Sequence, residues 1–156
     1  MTAESKDHAG VIAFPPLIFA VHGVAGALAH WLWPMPLLAP LPARVMGGVL
    51  ALAAGTQAFW ASRTMKRAGT NVLPSAPTIA IVATGPFRYT RNPMYLSLCL
   101  MLLAVSLLIN GVLPVLSLVP LALTLHFGVI KREERYLAAK FGEAYLAYQR
   151  RVRRWL

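Results

Sequence analysis

Apolar and polar positions divide this chain into hydrophobic runs of helical rather than strand length, separated by short breaks. The first run covers about residues 11–33, with Pro15-Pro16 near its start, where a missing amide donor does least harm. Trp31 and Trp33 then mark an interface, and Pro34, Pro36, Pro40 and Pro42 make a stiff, charge-free connection. A second run, about 44–62, carries Gly47, Gly48, Ala51 and Gly55, small residues that predict a face on which another helix approaches closely. Later, the 39 residues 92–130 pass without a single Asp, Glu, Lys or Arg. Asn110-Gly111 and Pro114 mark a turn within them, leaving roughly 16–20 residues a side, or ~24–30 Å of helix. Pro120 falls inside the fourth run and predicts a kink or a freed carbonyl.

From Lys131 the period changes. Leu137, Phe141, Tyr145, Tyr148, Val152 and Trp155 recur at three and four residues, while Lys140, Arg150, Arg151, Arg153 and Arg154 fall largely on other faces. That pattern predicts an amphipathic helix along the headgroup layer, anchored by Trp155. The expected fold is all-α: a polytopic membrane protein with about four transmembrane helices plus a C-terminal amphipathic interfacial helix. It forms one domain, 1–156, in which 1–62 supplies two helices and 63–156 supplies a polar loop, a helical hairpin and the last helix.

Composition agrees. The chain is 58% hydrophobic with a mean hydropathy of +0.60 and only 13% charged residues, too apolar for a soluble domain of 156 residues. The net charge of +10 raises the question of nucleic acid. The basic residues, however, cluster beside apolar runs, where attraction to anionic lipid is the simpler account. Five of the 15 Lys and Arg lie in 63–91, eight in 131–156, and Lys6 is at the amino terminus. Four spans with both ends cytoplasmic therefore put all but Arg44 inside. The polar start at 1–10 and the length of the first run argue for a retained helix rather than a cleaved signal. Cys99 is the only cysteine, sits in an apolar run and reads as a small buried hydrophobe. No metal-ligand spacing is present.

Two polar segments flank the 39-residue run. Before it stands Gly85-Pro-Phe-Arg-Tyr-Thr-Arg-Asn-Pro-Met-Tyr-Leu96; after it stand Glu133-Glu134, Phe141-Gly-Glu-Ala-Tyr145, Tyr148 and Val152-Arg-Arg-Trp155. A hairpin that crosses and returns brings the two together. Pro93 lacks an amide and biases Asn92 away from helix, so the third run starts abruptly and its first amides are free for a ligand. Arg91 has two readings: a planar fork for an acidic acceptor or lipid phosphate, or a side chain snorkelling to headgroups. Glu133 and Glu134 taken alone read as an exposed face paired with Lys131, Arg135 or Lys140. Tyr145 and Tyr148 read as interfacial belt residues, Arg88 as structural or lipid-facing, and His126 either as a residue lining the site or, the favoured reading, as a satisfied intramembrane group.

Together with Gly69-Thr-Asn-Val-Leu-Pro74, these segments resemble the isoprenylcysteine carboxyl methyltransferase and phospholipid methyltransferase superfamily, in its bacterial form, over 69–156. The resemblance implies an integral membrane enzyme using S-adenosyl-L-methionine on a lipid or lipophilic acceptor, with no nucleic-acid partner and with the oligomeric state left open. It implies a bacterial inner-membrane location with the site cytoplasmic. Carried onto this sequence, the cofactor contacts fall at Ile79, Ala80, Ile81, Val82, Phe87, Asn92, Pro93, Met94, Tyr95, Glu133 and Glu134; the candidate catalytic group comprises Asn92 and Glu134 together with Arg91, the last chosen for its planar fork. Many relatives have His where Asn92 stands, and an Asn does not titrate as a general base. Eukaryotic carboxyl methyltransferases carry an Arg about a turn before the acidic pair, where this chain reads Phe127-Gly-Val-Ile130. A phospholipid N-methyltransferase is the alternative within the superfamily; a membrane NADPH-dependent reductase and a non-catalytic membrane subunit are the alternatives outside it.

Overall fold

The structure is a computed structural model that describes residues 7–156; Lys6 and the acidic Glu4 before it lie outside the described residues. Two prolines start each of the first two helices, α1 (Pro15–Leu32) and α2 (Pro40–Arg67), at positions where an amide has no helical partner. A 3-10 turn, Gly85–Arg88, precedes α3 (Pro93–Leu108), again begun by proline. The chain then returns through α4 (Val112–Phe141) and ends its helical course in α5 (Glu143–Arg151). Among the described residues there is no strand, only an isolated bridge between Pro36 and Gly111.

Helices α1, α2 and α4 are long and apolar enough to cross a membrane; α3 is apolar but shorter, at 16 residues. The four run between two ends of the molecule. At one end the 33–38 connection meets the α3–α4 turn, where Val112 N–H donates to Met35 O (2.9 Å) and Asn110 bonds Leu38 through both backbone groups. At the other end, residues 7–12 lie beside α4: Ile12 N–H reaches Gly128 O (3.2 Å) and Asp7 pairs with Lys140 (2.6 Å). The core sits between α1, α3 and α4, around Ile18, Leu102, Leu121, Leu125, Val129 and Ile130.

Several sequence expectations shift here. Helix α2 begins at Pro40 and continues to Arg67, longer at both ends than 44–62, because its prolines open the helix instead of connecting to it. Its packing face is Ala43, Gly47, Ala54 and Ala61, a near-heptad stripe laid against α3, whereas Gly48 and Gly55 have open space beside them. A Cβ at Gly47 would stand 2.9 Å from Ala104 O and Leu108 N, so the two backbones touch only because nothing is there. Pro120 acts as expected: it offers no amide to Leu116 O, and the α-helical pattern of α4 is interrupted at Ser117. A wider π turn, His126–Ile130, then leads into the charged end of α4.

The expected single amphipathic helix after Lys131 is two helices and a tail. Gly142, at φ 54 and ψ −131, adopts a conformation open to glycine and divides α4 from α5. After Arg151 the backbone extends at Val152 (φ −122, ψ 132), so Trp155 leaves the helical face and packs against the core instead of anchoring in headgroups.

Candidate functional site

Residues 69–84 lie beneath the charged end of α4 as a loop held by side chains. Thr70 is buried and its hydroxyl accepts Ile79 N–H (2.9 Å), while Thr78 N–H donates to Tyr136 Oη (3.2 Å). Gly85, at φ 58, starts the 3-10 turn hard against Thr64 and Trp60 of α2, where a Cβ would meet Thr64 Oγ1 at 2.9 Å. The turn drives Phe87 into a small core with Ala61 and Val82, flanked by Met65 and Met94. Tyr148 of α5 donates to Phe87 O (2.8 Å) and fixes the turn from the other side.

The Arg-Asn-Pro corner follows. Thr90 Oγ1 accepts Asn92 N–H (3.2 Å), and Asn92 Nδ2 donates to Arg154 O (2.9 Å). Its side chain is thereby spent on the tail, and α3 carries no side-chain cap on its first amides. Arg91 is enclosed: its side chain is 9% exposed, too little for reaching out to headgroups, and Nη1 lies 3.0 Å from Glu134 Oε1. Glu134 is also gripped side-on by Arg154, Nε to Oε1 at 2.9 Å and Nη2 to Oε2 at 2.7 Å. Glu133 has a different partner, the Tyr95 hydroxyl, which donates to Oε1 at 2.6 Å.

One cavity of about 440 Å³ joins these groups. Ala80, Ile81, Val82, Phe87, Arg91, Asn92, Pro93, Met94, Tyr95, Glu133 and Glu134 all stand on its wall. Ile79 does not; its side chain is exposed, turned outward by the Thr70 bond to its amide. The polar end of the cavity is completed by Tyr145 and Tyr148, buried side chains and not belt residues. Burial and the nearby Glu134 carboxylate push the Tyr145 hydroxyl up to about 12, so it stays protonated. Glu134 also raises Arg154 above its ordinary value. The other end is apolar: Phe14 just before α1, Pro15 and Pro16 of α1, Ala54 and Ala58 of α2, and Leu98 and Met101 of α3. His126 is absent from the wall and accepts from Trp155 Nε1 at 3.4 Å.

Sequence reasoning missed Arg154, Tyr145, Tyr148 and Thr70. The i, i+3 spacing of the two tyrosines on an inward face was a usable signal. Nothing local marked Arg154, because it shares its basic surroundings with three exposed arginines.

Among the described residues the protein is all-helical, with three helices long and apolar enough to cross a membrane and a part-charged, part-apolar cavity at one end: the build of a membrane protein with a ligand-sized cavity. Comparison of sequences narrows that description: the chain belongs to the phospholipid methyltransferase family, whose sequence model matches residues 42–144. A further similarity, 46% identity over 63 residues, covers 40% of this chain and the whole of an uncharacterized protein of Haemophilus influenzae. The family makes this a membrane methyltransferase. Residues 145–156, including Tyr145, Tyr148 and Arg154, lie beyond the matched range.

Proposed function

We propose that the protein transfers a methyl group from S-adenosyl-L-methionine to a lipid or lipophilic acceptor, in a membrane crossed four times with both chain ends and the site on the cytoplasmic side. The observation that carries this reading is the two-ended cavity. Charged and hydrogen-bonding groups line one end, and the walls of apolar helices line the other, with no partition between.

The residues present fit that cofactor. Glu133 has one carboxylate oxygen engaged by Tyr95 and suits an ammonium group; Phe87 and Tyr95 offer aromatic faces to an adenine or a sulfonium; the uncapped start of α3 offers amides. When bound, the cofactor supplies an electrophilic methyl on a good leaving group. The protein then has to align the acceptor with that methyl near ~3–3.5 Å and exclude water. Val82, Phe87, Met94 and Tyr95 enclose the site with apolar surface, and Arg91 and Tyr145 supply fixed dipoles and charge beside it. No titrating base stands at position 92, so a nucleophile already deprotonated in solution, a lipid carboxylate, suits this site; a lipid amine is an ammonium near neutral pH and has to give its proton to solvent before it attacks. The basic residues at 63–91 and 131–156 hold this end to anionic lipid.

Two measurements test the reading. S-adenosylhomocysteine raises the melting temperature of the purified protein, and NADPH leaves it unchanged. Membranes containing the protein, given methyl-labelled S-adenosylmethionine, gain label in a lipid fraction that control membranes do not. A stabilising effect of NADPH alone, or label confined to protein and water-soluble products, overturns the assignment.

A further inference from the structure

The final stretch, residues 152–156, makes more contacts with the site than a terminal tail requires. Its main chain meets three successive residues of the corner. Arg153 O accepts Arg91 N–H (2.9 Å), and Arg154 O accepts both Thr90 Oγ1–H (3.1 Å) and Asn92 Nδ2–H (2.9 Å). The Arg154 side chain returns to Glu134 in a two-pronged, charge-assisted pair, and Trp155 fastens the tail to the core beside His126. The corner lies just before α3 and the acidic pair near the end of α4, about forty residues further along the chain; this one segment bonds to both.

We infer that Arg154 is a positioning residue of the site and that 152–156 form a clasp closing the corner onto the acidic pair. Arg154 donates two N–H groups to Glu134, one to each carboxylate oxygen, while Arg91 Nη1 stands 3.0 Å from Oε1 as a charge contact whose N–H is not aimed at the oxygen. Glu134 is thereby committed to orienting the buried Arg91 guanidinium. Glu133 is left as the carboxylate that meets a ligand. Without Arg154, Glu134 turns to Arg91 alone or into the cavity, and Asn92 loses the geometry that its bond to the tail imposes. The inference depends on the proposed function only for the choice of S-adenosylhomocysteine as probe.

The test uses the full chain in nanodiscs, with Arg154→Ala and Arg154→Lys beside wild type, and Arg150→Ala as control. Arg150 pairs with Glu143 on the exposed side of α5, away from the cavity. Two quantities are read: amide hydrogen exchange over residues 90–96, and the dissociation constant for S-adenosylhomocysteine. Arg154→Ala speeds exchange at 91 and 96 and weakens binding about tenfold, the cost of one buried partner lost. Arg154→Lys, which keeps the charge but not the fork, recovers part of both, and Arg150→Ala changes neither. If the alanine variant does not survive extraction, the lysine variant carries the test, with intermediate values of both quantities expected. Exchange and affinity equal to wild type in either Arg154 variant overturn the clasp. Faster exchange in the variants of a protein that binds no S-adenosylhomocysteine in any form leaves the clasp standing and removes the cofactor assignment instead.

Discussion

Glu133 and Glu134 are neighbours in sequence with the same side chain, yet their environments divide them. Glu134 faces two guanidiniums and Glu133 a single phenol. Removing the charge of Glu134 leaves Arg91 buried without its counter-ion, a loss on the order of 3 kcal/mol for a pair this enclosed. Glu134→Gln therefore lowers the melting temperature of the ligand-free protein. Glu133→Gln keeps a hydrogen-bonding group opposite Tyr95, so its melting temperature stays near wild type while affinity for S-adenosylhomocysteine falls. Equal loss of stability in the two variants, by calorimetry in detergent, would contradict this division. A third acid acts at the other chain end. Asp7 bonds Lys140 Nζ and the Tyr136 hydroxyl, which hold its carboxyl below the usual range. A depressed folded value stabilises above the ordinary carboxylate range, about pH 4, and that contribution disappears as pH falls through the folded value. Wild type thus melts above Asp7→Asn at neutral pH, and the difference closes in acid; a gap unchanged by pH would assign it to something other than this pair.

Elements were legible where apolar length and proline position determine them. The start of α3, the turn at Asn110-Gly111 and the break near Pro120 follow from backbone chemistry visible in the letters, whereas α1 begins at Pro15, about four residues into the apolar run that marked it, because its prolines open the helix. The packing face of α2 was not, because Gly47, Gly48 and Gly55 look alike until α3 is placed beside one of them. Gly47→Val forces the α2 and α3 backbones apart and costs ~1–3 kcal/mol, read as a lower melting temperature. Gly55→Val, where the added group meets nothing, leaves the melting temperature unchanged or higher. If both substitutions are tolerated equally, the α2–α3 contact is not as close as described. The last helix was misread for a related reason. A period of three and four continues through Gly142 and Val152, but backbone conformation at those two residues ends it, and tertiary bonds to the tail outweigh amphipathic pattern.

At the scale of the molecule, the site exists because four helices shuttle between two ends and deliver both motifs to the same one. The sequence made that meeting legible, since a hairpin of membrane length returns to its starting side. The apolar arm of the cavity was invisible, because Phe14 before α1, Ala54 and Ala58 of α2 and Met101 of α3 come from distant parts of the chain and carry no motif. On the proposed function that arm takes the acceptor's alkyl chain, and alkyl length becomes part of recognition. On the same reading, short-chain acceptors sharing one headgroup and presented from water, without a bilayer, are methylated faster as the chain grows to fill the arm, by up to ~0.8 kcal/mol per buried methylene. A rate indifferent to chain length, measured with a homologous series of water-soluble short-chain acceptors and protein in detergent, would disconnect the arm from catalysis. The π turn at His126–Ile130 carries a last implication, for the history of such chains. Each residue rotates a helix by ~100°, so losing one amino acid there to restore a regular α-helix would spin the acidic pair off the cavity wall. Length changes in this stretch are therefore expected to come as whole turns, or with a compensating gain before Lys131.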